Sequence, residues 1–210
     1  MLHPHSGSIQ QYMEVVDDPN RGRPSGCPQC RATEPLTAHG FYSRTIVDQA
    51  FDGVIRIRRY LCQACLRTVS LLPEWALPFM RFSIPEIART VKARLMEKQA
   101  WKIAAPGVPY QRGQHWVRRF SQQAEGLSAA LAARTAGIAA TSFVFKALGM
   151  LEKTGWTAAH RFLLSELRMH LLGWGRSLAP EGRRFTINDA SSLLGVLPQT
   201  TCGDSKNPPG

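Results

Sequence analysis

Two C-x2-C pairs constrain this chain more than any other feature of it. Cys27-Pro28-Gln29-Cys30 and Cys62-Gln63-Ala64-Cys65 have 31 residues between them. A C-x2-C turn aims two thiolates at one point. Two such turns facing each other form a closed tetrahedral site, with zinc–sulfur distances near ~2.3 Å. Other chemistries also use cysteine pairs. A redox dithiol needs only one pair, on a βαβ background, and structural disulfides need an oxidising compartment. The first 20 residues are polar and carry no hydrophobic stretch of the secretory kind. No run of about 18 apolar residues occurs anywhere. Cys27, Cys30, Cys62 and Cys65 are therefore read as ligands of one structural Zn2+ in a cytoplasmic protein with reduced thiols. Four sulfurs leave no open coordination position, so such a metal stabilises the fold and does not activate water. They also fill the shell without His39, which reads as a turn or packing residue. Cys202 stands alone near the C-terminus.

The segment between the pairs can fold back as a hairpin and bring them together. Phe41–Val47 reads as a strand, Asp52-Gly53 as a turn and Val54–Leu61 as a second strand. Alternation puts Ile55, Ile57 and Leu61 on one face and Arg56, Arg58 and Tyr60 on the other. Thr68–Leu72 reads as a third strand. The expected fold class is α+β: a loose leader over 1–26, a zinc ribbon over 27–80, a helix-turn-helix over 83–124, a helical hairpin over 127–173 and a largely disordered tail over 174–210.

The formal net charge is +11, and it is concentrated. Between Val54 and Arg119 there are 13 Lys and Arg against three Glu, a local net of +10. Such a block attracts a polyanion, and nucleic acid is the expected one. The same stretch carries helix signals. Ser83-Ile84-Pro85-Glu86 fits a capping box with an early proline. Ile84, Ile87, Ala88, Val91 and Leu95 then recur at helical spacing, which predicts a helix over 84–98. Trp101–Ala105 reads as a short second helix, Pro106-Gly107 as a break, and Pro109–Ala124 as a third helix with Trp116, Val117 and Phe120 turned inward. Outward lie Gln111, Arg112, Gln114, His115, Arg118 and Arg119. Arg pairs with guanine edges and Gln with adenine edges. Gln111, Arg112 and His115, early in the helix, are the base-reading candidates, and Gln114 shares their face. Arg118 and Arg119 suit phosphates. Arg56, Arg58 and Arg59 on the ribbon extend the expected DNA surface.

In the C-terminal third, Thr157–Leu172 reads as a helix with an apolar stripe of Trp156, Phe162, Leu163, Leu167 and Leu171. Packed inside the chain, the stripe would complete a core; exposed, it would serve a homodimer or a partner protein. His160 and His170 are ten residues apart and do not read as a metal pair. No nucleophile-elbow, phosphate-loop or H-E-x-x-H pattern occurs.

The run from Cys27 through His39-Gly40-Phe41-Tyr42-Ser43-Arg44, Ile55–Tyr60 and Cys62–Cys65 to Arg67–Pro73 resembles a bacterial zinc-ribbon family of unknown function. It is also similar to the N-terminal ribbons of insertion-sequence transposases, which are often followed by a helix-turn-helix. The resemblance covers about residues 27 to 120 and implies zinc, a cytoplasmic or nucleoid location and mobile-element DNA. It does not extend to a catalytic core. After Phe120 the only acids are Glu125, Glu152, Glu166, Glu181, Asp189 and Asp204, and only Asp189, behind Phe185-Thr186-Ile187, could end a strand. A metal-dependent strand-transfer site needs clustered carboxylates. The expected function is therefore binding of double-stranded DNA without catalysis, as an accessory or regulator of a mobile element. The alternatives are an adaptor for a transposase or polymerase, or a decayed transposase. No membrane partner is expected.

Overall fold

The computed structural model describes residues 1–3, 5, 7–136 and 138–173. The strands are β1 (Leu2–His3), β2 (Thr37–Asp48), β3 (Phe51–Leu61), β4 (Thr68–Ser70) and β5 (Leu72–Pro73). The helices are α1 (Ile9–Val15), α2 (Ile84–Leu95), α3 (Trp101–Ala104), α4 (Tyr110–Leu131), α5 (Phe143–Thr154) and α6 (Trp156–Leu167), followed by a short 3-10 turn at Leu171–Gly173. The architecture is α+β. An antiparallel sheet of order β2-β3-β4 carries the cysteines, a short parallel β1-β5 pair lies beside it, and the helices follow. No described helix is long and apolar enough to cross a membrane.

The hairpin is longer than its sequence signals suggest. Asp48 pairs with Phe51, so Gln49-Ala50 is the turn, and Asp52 and Gly53 lie inside β3 opposite Val47 and Ile46. The Phe51 ring lies over Gly53: a Cβ there would stand 2.9 Å from the tip of the ring, which would have to shift. Nearer the cysteines, the register shifts between Ala38 and Phe41. Gly40 sits in this bulge at φ 72°, a conformation that glycine adopts without a side-chain penalty. His39 is therefore part of a bulge.

The expected loose leader is ordered and covers the ribbon. Ser8 caps α1 in a full capping box with Gln11, which satisfies two backbone donors reciprocally. Ile9, Tyr12 and Val16 then recur on one side and are buried against Ile46, Ile55, Ile57 and Trp75. The Tyr12 hydroxyl donates to the Arg56 carbonyl at 3.0 Å, and burial pushes its pKa well above the usual phenol range. The Arg58 guanidinium donates to the Val16 carbonyl at 3.1 Å and to the Asp17 carbonyl, where a cation complements the end of a helix. The Tyr60 hydroxyl donates to Pro19 O at 3.1 Å. Arg58 and Tyr60, two side chains first counted on the polar face of β3, thus hold the N-terminal segment, while Arg56 beside them stays exposed.

Residues 74–83 join ribbon to helices through backbone bonds. Val47 donates to Arg81 O at 2.7 Å, Ser83 to Val47 O at 2.9 Å, and Ile84 to Trp75 O at 2.7 Å. Ser83 caps α2, accepting from Glu86 N at 3.2 Å. Glu86 does not reach back as a capping box would; its carboxylate pairs with Arg89. The helix stops at Leu95, short of the expected Lys98, which takes a φ of 53°.

The helical units expected over 83–124 and 127–173 share one core. α4 runs on to Leu131, across the expected boundary, and α5 and α6 pack back on it. Trp116, Phe120, Leu127, Leu131, Leu148, Leu151, Leu163 and Leu171 belong to a single buried cluster that also holds Ile84, Ile87 and Val91 of α2. Trp116 and Phe120 are fully buried, and Val117 packs against the same cluster. The stripe on α6 therefore packs inside the chain. α6 ends at Leu167, before the expected Leu172, with Arg168 in the left-handed conformation. Gly137 and residues 174–210, with Cys202, the 185–187 stretch and Asp189, lie outside the described residues.

His160 and His170 meet in the interior. His160 Nδ1 lies 3.1 Å from the Glu74 carbonyl and Nε2 lies 3.0 Å from His170 Nδ1. A carbonyl only accepts, so Nδ1 of His160 carries the proton and Nε2 accepts from His170. Burial lowers the His160 pKa to about 4. Burial lowers that of His170 to about 3, helped by His160 and the N-terminal ammonium.

Candidate functional site

The two cysteine turns are copies of one backbone device. In the first, Arg31 N donates to Cys27 O at 2.9 Å and Cys27 N donates to Ala32 O at 2.8 Å. In the second, Leu66 N donates to Cys62 O at 2.9 Å and Cys62 N donates to Arg67 O at 3.0 Å. Each turn passes through a left-handed residue, Arg31 at φ 64° and Leu66 at φ 55°. Gly26 precedes the first turn, and a Cβ there would stand 2.8 Å from the Ala32 carbonyl.

The sulfurs converge as the spacing predicts. Cys27 Sγ lies 3.8 Å from Cys65 Sγ, and Cys30 Sγ lies 3.6 Å from Cys62 Sγ. All four lie within 4.8 Å of one another. Sulfurs held tetrahedrally ~2.3 Å from one ion stand about 3.8 Å apart, so this set can hold a single ion and is compatible with zinc. Cys27 and Cys62 are buried, while Cys30 is exposed. Gln29 N points at Cys27 Sγ from 3.4 Å. Burial raises the Cys27 pKa, but backbone donors from Cys30 and Gln29 and the neighbouring thiols outweigh it and bring it to about 7. These donors favour the thiolate that a metal needs. Little else fills this end of the ribbon. Its buried cluster is Leu36, Tyr60, Val69 and Leu71 with Cys27 and Cys62.

The second group of residues gathers on α4. Gln111, Arg112, Gln114 and Arg118 are exposed and His115 is half-buried, opposite Gly113, Trp116 and Phe120, which are buried. Gln111, Gln114, His115 and Arg118 line an open cleft of about 630 Å3 together with Arg94 and Trp101. The Arg94 guanidinium lies 4.6 Å over the Trp101 ring, and Tyr110 meets that ring edge-on at 5.3 Å. Gly113 allows this packing, since a Cβ there would stand 2.7 Å from Trp101. Gln114 Nε2 donates to the Tyr110 hydroxyl at 2.6 Å. Burial and the cations Arg118, Arg119 and Arg112 lower the His115 pKa. Arg94, Trp101 and Tyr110 are not among the residues the sequence reading singles out. Aromatics interleaved with the basic block were the available signal.

Several expected DNA contacts are engaged elsewhere. Arg119 Nε donates to Leu172 O at 2.7 Å and ties α4 to the 3-10 turn. Arg58 is only 7% exposed and holds the end of α1, so it is a structural residue and offers no surface cation. Arg56 is exposed but pairs with Asp17 at 2.9 Å. Arg59 is half-buried, and its Nε has no hydrogen-bond partner among the described residues.

Residues 27–105 match a family described as a domain of unknown function, DUF6431. The match takes in both cysteine pairs, the ribbon, α2 and α3, and ends just before α4. It agrees with a zinc-ribbon-like domain whose four cysteines are placed to form a metal site. No curated protein and no solved structure matches the chain.

Proposed function

We propose that this chain is a zinc-dependent DNA-binding protein in which the four cysteines hold one structural Zn2+ and α2, α3 and α4 act as a helix-turn-helix. The observation that carries this reading is the outward face of α4, where Gln111, Arg112, Gln114, His115 and Arg118 gather on the helix that follows the short α3. Bidentate and amide side chains of this kind suit base edges in a major groove. The ribbon supports the helices through the backbone bonds of residues 74–83. Of the cations first expected to meet DNA, Arg112 and Arg118 suit the role best. The resemblance to transposase ribbons favours a mobile-element accessory or regulator without a catalytic core, acting in the bacterial cytoplasm at the nucleoid.

The adaptor reading draws on a different observation. Phe143 and Phe145, at the start of α5, are 51% and 39% exposed, and exposed rings of this kind suit a protein partner or a second copy of the chain. A fluorescence-anisotropy titration of duplex DNA over a salt series separates the two. DNA binding predicts affinity that falls steeply with salt, because neutralised phosphates release counterions. Undetectable binding, with a co-purifying protein partner, supports the adaptor.

A further inference from the structure

One large apolar side chain is turned out of an otherwise buried run. Leu77, Met80 and Phe82 are buried, whereas Phe79 between them is 92% exposed. Its φ is 60°, a left-handed conformation that a bulky residue adopts only when its surroundings impose it. The surroundings do so here. The half-buried Arg44 guanidinium donates to Leu77 O at 2.8 Å and to Met80 O, gripping the loop on both sides of Phe79. One step on, Arg81 O accepts from Val47 N at 2.7 Å. The ring is thus held outward on a fixed loop.

Phe79 stands as a ridge between two hollows. One is a cavity of about 940 Å3 that it shares with Tyr42, Arg44 and Ser70. The other, of about 310 Å3, is lined by Phe79, Arg81, Asp52, Gly107, Pro109 and Arg112. Asp52 pairs with Arg81 at 2.8 Å. Arg112 makes this second hollow continuous with the outward face of α4. A rigid exposed ring beside cations on a nucleic-acid face has the chemistry of a base-stacking wedge, which partly unstacks a base step or receives a base already out of the helix.

We propose that Phe79 stacks on a nucleobase, so that this chain prefers DNA that is kinked or carries an unstacked base. This rests on the DNA-binding reading above. The test uses the full zinc-loaded chain and two fluorescein-labelled duplexes of one sequence, one fully paired and one with a single-nucleotide bulge, titrated over a salt series. The wild type should bind the bulged duplex about five-fold or more tightly than the paired one, the lower end of what one base–aromatic stack supplies. Phe79→Ala should lose that preference while keeping the salt slope, and Phe79→Trp should restore it. Because the ring is exposed and the backbone strained, Phe79→Ala and Phe79→Gly should melt no lower than the wild type. Salt-dependent binding of both duplexes with no preference, or a preference that Phe79→Ala keeps, overturns the stacking role and leaves DNA binding standing. Binding to neither duplex overturns both.

Discussion

The ribbon's cysteine end and the helical half are held together by different means. The helices share a continuous core in which Trp116, Phe120, Leu127, Leu148 and Leu163 are at most 1% exposed. The cysteine end has four apolar side chains around two buried cysteines, and its turns pass through two strained non-glycine residues. A cluster this small does not order such turns by hydrophobic burial. The contrast shows how unequal the two halves of one chain can be in what they are built on: one on packing, the other on four sulfurs placed to hold an ion.

On the proposed zinc reading, the strongest way to break that contrast is to remove the metal. Chelation, or Cys62→Ser, should unfold the 27–36 and 60–71 segments while leaving α4, α5 and α6 protected in hydrogen exchange. Metal binding in small zinc domains is worth on the order of 10 kcal/mol, so the local effect should be complete. Simultaneous loss of helical protection would show that the halves are not distinct. Conversely, Trp116→Ala or Phe120→Ala should cost about 3–5 kcal/mol of helical stability, measured by urea unfolding, with metal still bound at one ion per chain.

Acid should act on the helical half through the His160–His170 pair. Both pKa values lie below the unfolded value, so the stabilisation is fully present above about pH 6.5 and is lost as pH falls through about 4 for His160 and about 3 for His170. Protonating His160 places two donors face to face and charges a buried ring. By about pH 4.5 the His160 contribution alone should fall by about 2–3 kcal/mol. Exchange of α6 amides is the suitable readout, because acid also protonates the cysteine ligands. His160→Gln, already weaker at neutral pH, should lose much of that acid dependence. The smallest effect returns to the metal end. Leu66→Gly or Arg31→Gly relieves a left-handed residue and should raise metal-bound stability by about 1 kcal/mol. A loss in both would mean that these side chains, not the backbone, shape the turns.

Local signals in the sequence carried much of this. The cysteine spacing placed the sulfurs. Ser83, Pro85 and the Ile84–Leu95 periodicity placed α2, and Pro106-Gly107 placed the break before α4. What stayed hidden depended on partners distant in sequence. Arg58 reads as a surface cation until the end of α1 is known to lie over it, and Arg119 until Leu172 returns to it. Ser8-x-x-Gln11 with Ile9, Tyr12 and Val16 was a legible helix signal in a stretch whose Pro, Gly and charge argued for a loose leader. Asp52-Gly53 has turn chemistry, yet pairing of Asp48 with Phe51 moved the turn upstream and left Gly53 to make room for a ring.

Native mass spectrometry of the full chain, purified without chelator, tests the central claim most directly. We expect one zinc ion per chain with the four ligand cysteines reduced, and its loss in Cys62→Ser. A metal-free wild type, or one whose mass shows Cys27, Cys30, Cys62 and Cys65 joined as disulfides, would contradict it.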